Sequence, residues 1–240
     1  MPALFFVPEI LASDTIIVDG DEAHHALKVL RLTLGDELQV SDGRGNWAQG
    51  AITSVDKKSL ALVVSDRGSI EQINPELIVI QALTKSDRSK ETIELIVEAG
   101  VDRIIPWQSD RCISRWKADM HQKWKSSVIT ACKQSRRYYL PVVEQPISMG
   151  EIRERFTSDA LLLILHESAS EKLSSVVTPA ALSKRQIILV VGPEGGISGD
   201  ELNQLSAMGG RVVRLGNPVL RSAHAGIAGL AALQALLKQW

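Results

Sequence analysis

The chain has 240 residues, 45% of them hydrophobic and 23% charged, with a formal net charge of −1. That composition supports one large core or two smaller ones and excludes a disordered or low-complexity chain. No run approaches the ~20 apolar residues of a membrane helix. The opening residues MPALFFVPEI lack the basic flank and long apolar stretch of a signal peptide. The two cysteines, Cys112 and Cys132, show no metal-ligand spacing. Reduced thiols, no metal and a cytoplasmic location are expected.

Charge is unevenly spread. Residues 1–74 hold six Lys/Arg and eleven Asp/Glu, whereas residues 84–137 hold twelve and seven. The basic middle segment is either a solvated helix face or a contact surface for a polyanion. The first 70 residues read as mostly β. TIIVD (15–19), DELQVSD (36–42), NWAQGAITSV (46–55) and SLALVVSD (59–66) are short, alternating or β-branched, and bounded by turn residues. One helix is predicted in DEAHHALKVLR, with Ala23, Ala26, Leu27 and Leu30 inward. A small barrel-like module is expected. GRGNWA (43–48) matches the G-x-G-x-x-A spacing of dinucleotide folds, but that fingerprint must open a helix, and here a strand follows. A hairpin turn is the expectation.

After Asn74-Pro75 the period changes, and a domain boundary is placed near residues 70–75. ELIVIQAL (76–83) is a strand buried on both faces. A helix follows with Ile93, Ile96 and Val97 inward and Gly100 as its stop. RIIPW comes next, then a helix over about 118–134 with Met120, Trp124, Val128 and Cys132 four residues apart. The strand ALLLILHE (160–167), the strand QIILVV (186–191), a helix from Ser198, the strand RVVRLG (211–216) and a final apolar helix complete the pattern. Alternating apolar strands and helices indicate an α/β domain with a mainly parallel sheet.

In such sheets ligands bind beyond the carboxyl ends of the strands. Three of these ends carry unusual residues: LHES, GPEGG and LGNPVLRSAHAG. Gly195 and Gly196 let a ligand lie against bare backbone. Ser198-Gly-Asp-Glu201 is a capping box that aims free N–H groups at the loop. No G-x-x-x-x-G-K-[ST] occurs, and Glu194 disfavours a phosphate. Backbone groups plus a carboxylate suit adenosine or a cation, and a plain strand–turn–helix junction is the alternative.

The pair VVGPEGGIS and RLGNPVLRSAHAG resembles the cofactor loops of SPOUT methyltransferases. With HHALKVLRLTLGDELQVSDGRG, QALTKSDRSKETIELIVEAGVDRIIPWQSDRC and KQSRRYYLP in order, the whole chain resembles the RsmE family. That family methylates N3 of a uridine in 16S ribosomal RNA. The resemblance implies an N-terminal PUA-like, RNA-binding β-barrel (residues 1–72). It implies a C-terminal trefoil-knotted α/β domain (residues 73–240), S-adenosylmethionine, a homodimer and the small ribosomal subunit as partner. The very apolar final helix gives the dimer a physical motive.

Carried onto this sequence, the cofactor site comprises Leu165, His166, Glu167, Gly192, Pro193, Glu194, Gly195, Gly196, Leu215, Gly216 and Leu220. Leu215 and Leu220 are expected to pack on the adenine. The implied RNA contacts are His25, Lys28 and Arg31 on the first helix, Lys85 and Arg88 in the KSDR block, and Gln134, Arg136 and Arg137 in the KQSRR block. Three positions depart from the family: Ser86 replaces a glycine, Lys133 a glutamate, and Ala223 the glutamate of the last loop. N3 of uracil is a poor nucleophile until its proton leaves, and the charge then spreads over two carbonyl oxygens. A fixed guanidinium would stabilise it; Arg221 is the catalytic candidate, with Glu194 to orient it. His224 is a secondary candidate. The rival readings are ribose 2′-O methylation by a SPOUT enzyme and a non-catalytic RNA-binding protein that kept the fold.

Overall fold

The computed structural model describes every residue except Met1, Leu11, Ser86, Asp87, Pro179, Ala181 and Leu182. Contacts divide the chain into two units: Met1–Gln72 with Cys132–Leu140, and Ile73–Ala131 with Pro141–Trp240.

The first unit is a five-stranded sheet. Its strands are β1 (Ala3–Phe6), β2 (Thr15–Asp19), β3 (Glu37–Ser41), β4 (Asn46–Val55) and β5 (Ser59–Ser69), in spatial order β1-β3-β4-β5-β2. β1 was not anticipated from sequence; it pairs parallel with β3, and the other neighbours are antiparallel. Alternation puts Ile16 and Val18 inside and leaves Ile17 65% exposed. The core is filled by Phe5, Leu38, Val40, Ile52, Leu60 and Leu62. The GRGNWA segment is the β3–β4 turn. The Asp42 carboxylate accepts from Arg44 N (2.8 Å), Asn46 N (3.2 Å) and Asn46 Nδ2 (2.7 Å). Burial works against this charge, but the Asn46 and Arg44 hydrogen bonds hold the carboxyl below its ordinary range.

The helix in this unit differs from the periodicity. α1 (Gly20–His24) continues as a π-helical turn, His25–Val29, and Leu30 N donates to His25 O at 3.0 Å. Ala23 and Ala26 are buried as expected. Leu30 is 44% exposed, not inward, because the extra residue in the turn rotates everything after it.

Residues 132–140 also depart from the domain limits read from sequence, which put them in the second domain. They belong to the first unit through long-range pairing. Ser41 Oγ and Gly45 N donate to Tyr138 O (2.9 and 3.0 Å), and Leu140 N donates to Gly43 O (2.9 Å). The Tyr138 ring stacks on Trp47 at 5.6 Å, worth about 1 kcal/mol beyond its area.

The second unit holds a seven-stranded sheet, ordered β10-β12-β9-β11-β6-β7-β8 with every pair parallel. The strands are β6 (Glu76–Ala82), β7 (Arg103–Trp107), β8 (Val142–Val143), β9 (Ala160–Leu165), β10 (Glu171–Lys172), β11 (Gln186–Val191) and β12 (Arg211–Arg214). The central strands β6 and β11 are buried except at their first residue, and β9 is buried over Leu162–Ile164, which is why they read as continuous apolar runs. The helices are α2 (Ser89–Glu98), α3 (Met120–Ser135, whose last residues from Cys132 belong to the first unit), the short α4 (Leu173–Val176), α5 (Gly199–Ala207) and α6 (Ser222–Leu236). α2 stops at Gly100, whose φ is +94°. α6 packs on α2, β11 and β6. At Gly226 a Cβ would lie 2.8 Å from Ile96 Cγ2, so the close approach of the two helices requires glycine there.

The strand ends opposite the site carry their own fixing. Arg103 bridges Glu76 and Glu144 at 2.8 and 2.9 Å.

Candidate cofactor cleft and RNA-contact residues

Because β12, β9, β11 and β6 are parallel neighbours, the loops leaving their carboxyl ends emerge side by side at one sheet edge. These loops contain residues 215–221, 166–168, 192–198 and 83–85. His166 N donates to Val213 O at 3.0 Å, which ties the first two together.

A cleft between them is lined by Leu165, His166, Glu167, Leu215, Gly216 and Leu220, with Arg214, Pro218, Val219 and Ala225 completing the wall. Six residues expected from sequence therefore line one cleft. It encloses about 80 Å³ and is open on one side, so it seats one face of a ligand rather than engulfing it. Val219 and Leu220 are 74% and 41% exposed. Apolar side chains held out on a loop beside a cleft are what a planar, partly apolar ligand would cover. Ser168 N donates to His166 Nδ1 at 3.3 Å, and the Ser168 hydroxyl lies 2.9 Å from the same nitrogen.

Residues Gly192 to Gly196 occupy the next loop but do not line that cleft. This loop is held from three sides. Ser222 Oγ, at the first turn of α6, donates to Gly192 O at 2.6 Å. Gln81, buried at the end of β6, donates from Nε2 to Ser222 Oγ at 3.3 Å. Arg111 Nη1 donates to Gly195 O at 3.2 Å, and Lys85 N donates to Glu194 Oε1 at 3.3 Å. Pro193 is buried, and Gly196 has φ +75°. The capping box at Ser198 is present, and Glu201 does more than cap. Buried to 1%, its carboxylate also accepts from Asp110 N (2.9 Å) and Ser109 Oγ (3.3 Å). That anchors α5 to the loop after β7.

Arg221 is the N-cap residue of α6 and is exposed. Among the described residues its side chain has no ion-pair partner. The expected Arg221–Glu194 contact is replaced by the Lys85–Glu194 hydrogen bond. Ala223, where the resemblance implies a glutamate, is 2% exposed and supplies only a small packed side chain. His224 does not line the cleft; its Nε2 lies 4.0 Å from Glu91.

Of the expected RNA contacts, His25, Lys28, Arg31, Gln134, Arg136 and Arg137 all fall in the first unit. Lys28, Arg31, Gln134 and Arg136 are exposed, while His25 is half-buried with its ring edge-on to Phe5. Arg31 and Arg136 end their helical segments at φ +57° and +56°. The two sequence blocks are joined by Lys133, whose Nζ lies 2.6 Å from Glu22 Oε1 and 5.7 Å from the Phe5 ring centroid. The Lys133 substitution is therefore a structural ion pair. Lys85 and Arg88 lie in the second unit, before α2; Ser86 and Asp87 between them lie outside the described residues.

Sequence reasoning missed Gln81, Arg111 and Ser222. Gln81 had a signal, a lone amide in a buried apolar strand; Arg111 had none.

A family model described as an RNA methyltransferase domain matches residues 71–234, and one described as an RNA methyltransferase PUA domain matches residues 18–65. A ribosomal RNA small subunit methyltransferase E of Mycobacterium bovis is 37% identical over 99% of this chain and 93% of its own. The chain belongs to the RsmE family of RNA methyltransferases. An RsmE protein of Neisseria gonorrhoeae, crystallised with S-adenosylmethionine, superposes with a TM-score of 0.89 at 31% identity, covering 98% of each chain. A methyltransferase of Legionella pneumophila, also solved with that molecule, gives 0.86 at 26% over 98% of each chain. The fold is thus that of the RsmE proteins, α/β-knot class with an N-terminal PUA-like module. Among the described residues no helix is long and apolar enough to cross a membrane, and no group of three His, Cys, Asp or Glu could hold a metal.

Proposed function

We propose that this RsmE-family protein transfers the methyl group of S-adenosylmethionine to N3 of a uridine in the 16S RNA of the small ribosomal subunit. We propose further that it acts in the cytoplasm as a homodimer. The observation that carries the reading is the convergence of the 166–168, 192–198 and 215–221 loops at one sheet edge. The bound S-adenosylmethionine of the Neisseria relative, 31% identical over 98% of this chain, supports it.

The residues present fit the cofactor. Leu165, Leu215 and Leu220 offer an apolar wall to a purine, and Gly216 leaves room: a Cβ there would meet only Pro218, at 3.7 Å. When bound, the cofactor supplies a methyl group already activated on a sulfonium. The protein's task is then placement and charge stabilisation. The N3 proton leaves to water. The guanidinium of Arg221, next to Leu220 and unengaged by any described residue, stabilises the charge that develops on the uracil carbonyls. Glu194 takes the role of holding the loop through Lys85 N rather than that of orienting Arg221. Gly192 to Gly196 keep their geometry through Ser222 and Arg111. In the first unit, His25, Lys28, Arg31, Gln134, Arg136 and Arg137 engage RNA phosphates and grip the subunit; Lys85 and Arg88 do so in the second. The outward residues of α6, among them Ala231 and Ala232, provide an apolar face for a second copy.

Calorimetric titration with S-adenosylmethionine tests the cleft. Wild type should bind, and Gly216→Trp, which fills the cleft, should not. Methyl mapping on small subunits incubated with both proteins should then find N3-methyluridine with wild type alone. A well-folded wild type that binds no cofactor, with or without subunits, would sink the reading. A 2′-O-methyl product would favour the ribose alternative.

A further inference from the structure

Away from the cofactor cleft, the second unit contains a larger pocket of about 440 Å³. It lies between the start of α2, the 113–119 loop and the first turns of α3. Trp124, 3% exposed, forms its base, and its Nε1 donates to Ser89 Oγ at 2.9 Å. Trp116 meets Trp124 edge-on at 5.5 Å. Ile113, at the rim, is 70% exposed.

Lys90, Arg115, Lys117 and Lys123 line this pocket, against one lining carboxylate, Asp119. Lys123 is engaged by Asp119 at 2.7 Å, and Lys90 stands 3.6 Å from Glu94. Arg115 and Lys117 have no ion-pair partner among the described residues. The loop presenting them is fixed: Gln108 donates from Nε2 to Ser114 O (3.1 Å) and accepts from Trp116 N (3.0 Å). Two cations outside any ion pair, on a braced loop beside an exposed isoleucine, match a ligand that is anionic on one side and apolar on the other.

We propose that this pocket binds one unstacked nucleotide of the RNA substrate, distinct from the uridine that is methylated at the cofactor cleft. Arg115 and Lys117 hold its phosphates, and Ile113 and Met120 receive its base above the buried Trp124. Single-stranded RNA combines those two chemistries in adjacent groups, and KSDR residues Lys85 and Arg88 precede the same helix start. The inference rests on the RNA-methyltransferase reading above.

The test compares wild type, Arg115→Glu/Lys117→Glu, Ile113→Glu, and a charge-matched control, Arg153→Glu/Lys172→Glu. All target side chains are exposed, and melting temperature with S-adenosylmethionine titration verifies fold and cofactor site. The pocket variants should raise KM for small subunits about tenfold or more with kcat unchanged. The double variant should also lower the salt slope of binding to a single-stranded 12-nucleotide RNA by about 1.4, as expected for two phosphates. The control should stay within twofold of wild type. Unchanged KM in the pocket variants, or an equal loss in the control, overturns the proposal. If wild type proves inactive on subunits, the enzymatic reading fails separately. Filter binding of the 12-nucleotide RNA then decides: selective loss by the pocket variants upholds the site, and equal retention overturns it.

Discussion

Ser222 Oγ donates a 2.6 Å hydrogen bond to Gly192 O, joining the first turn of α6 to the glycine loop 30 residues earlier in the chain. Gln81 Nε2, from a third element, donates to the same hydroxyl at 3.3 Å. The glycine loop is therefore positioned by a buried polar relay rather than by its own sequence. Ser222→Ala leaves Gly192 O and Gln81 without that partner. It should cost about 1–3 kcal/mol of stability and weaken cofactor binding, both read by thermal unfolding with and without S-adenosylmethionine. Ser222→Thr keeps the hydroxyl and should recover most of the loss. Equal binding by the alanine variant would show that the relay does not shape the site.

Arg221 is exposed and free of ion pairs with the described residues, so removing it should not disturb folding. Arg221→Ala is expected to lower kcat by about 10²–10³, the usual loss for one donor at a developing oxyanion. Its cofactor affinity should stay within a few fold. Single-turnover methylation at saturating cofactor measures this. A variant with normal kcat would remove Arg221 from the chemistry.

Lys133 and Glu22 form a mostly buried pair, 18% and 22% exposed, and Glu22 Oε2 has no hydrogen-bond partner. Lys133→Ala leaves a mostly buried carboxylate without its cation and should destabilise the first unit by about 1–3 kcal/mol, the cost of a buried polar group left unpaired. Glu22→Gln in the Lys133→Ala background should restore part of that. A double-mutant cycle in urea gives the coupling. No coupling would mean that the pair is solvated in solution.

Both cysteines are buried and free. Burial pushes the Cys132 thiol up to about 12 from 9.0, opposed only weakly by the Arg137 charge. The folded protein thus retains a proton that the unfolded chain releases. The stability from Cys132 is intact below pH 9 and is lost progressively from about pH 9 toward 12. Cys132→Ala should flatten stability against pH across that window. Native Cys132 should resist a thiol reagent at pH 8; rapid labelling would contradict its burial.

Much of this fold is legible in the sequence because it rests on local periodicity. β6, β9 and β11 show themselves as apolar runs since both faces are covered, and the GRGNWA turn is betrayed by the strand after it. The π-turn at His25–Val29 is not legible, because it changes the phase of a helix without changing its composition. β1 is missed for a related reason: it pairs with β3 across more than 30 residues.

The order of residues sets the chemical inventory: apolar strands that must be buried, glycine loops at strand ends, Leu215 and Leu220 beside Arg221, and a basic middle segment. Which of these meet is set by the packed fold. It placed 166–168 and 215–220 around one cleft because β9 and β12 are parallel neighbours. It paired Lys133 with Glu22, and it turned Glu194 to Lys85 rather than to Arg221. Such pairings depend on distances between residues tens to more than a hundred positions apart. Composition and periodicity carry no information about those distances, whereas strand order and the packing of α6 on the sheet set them.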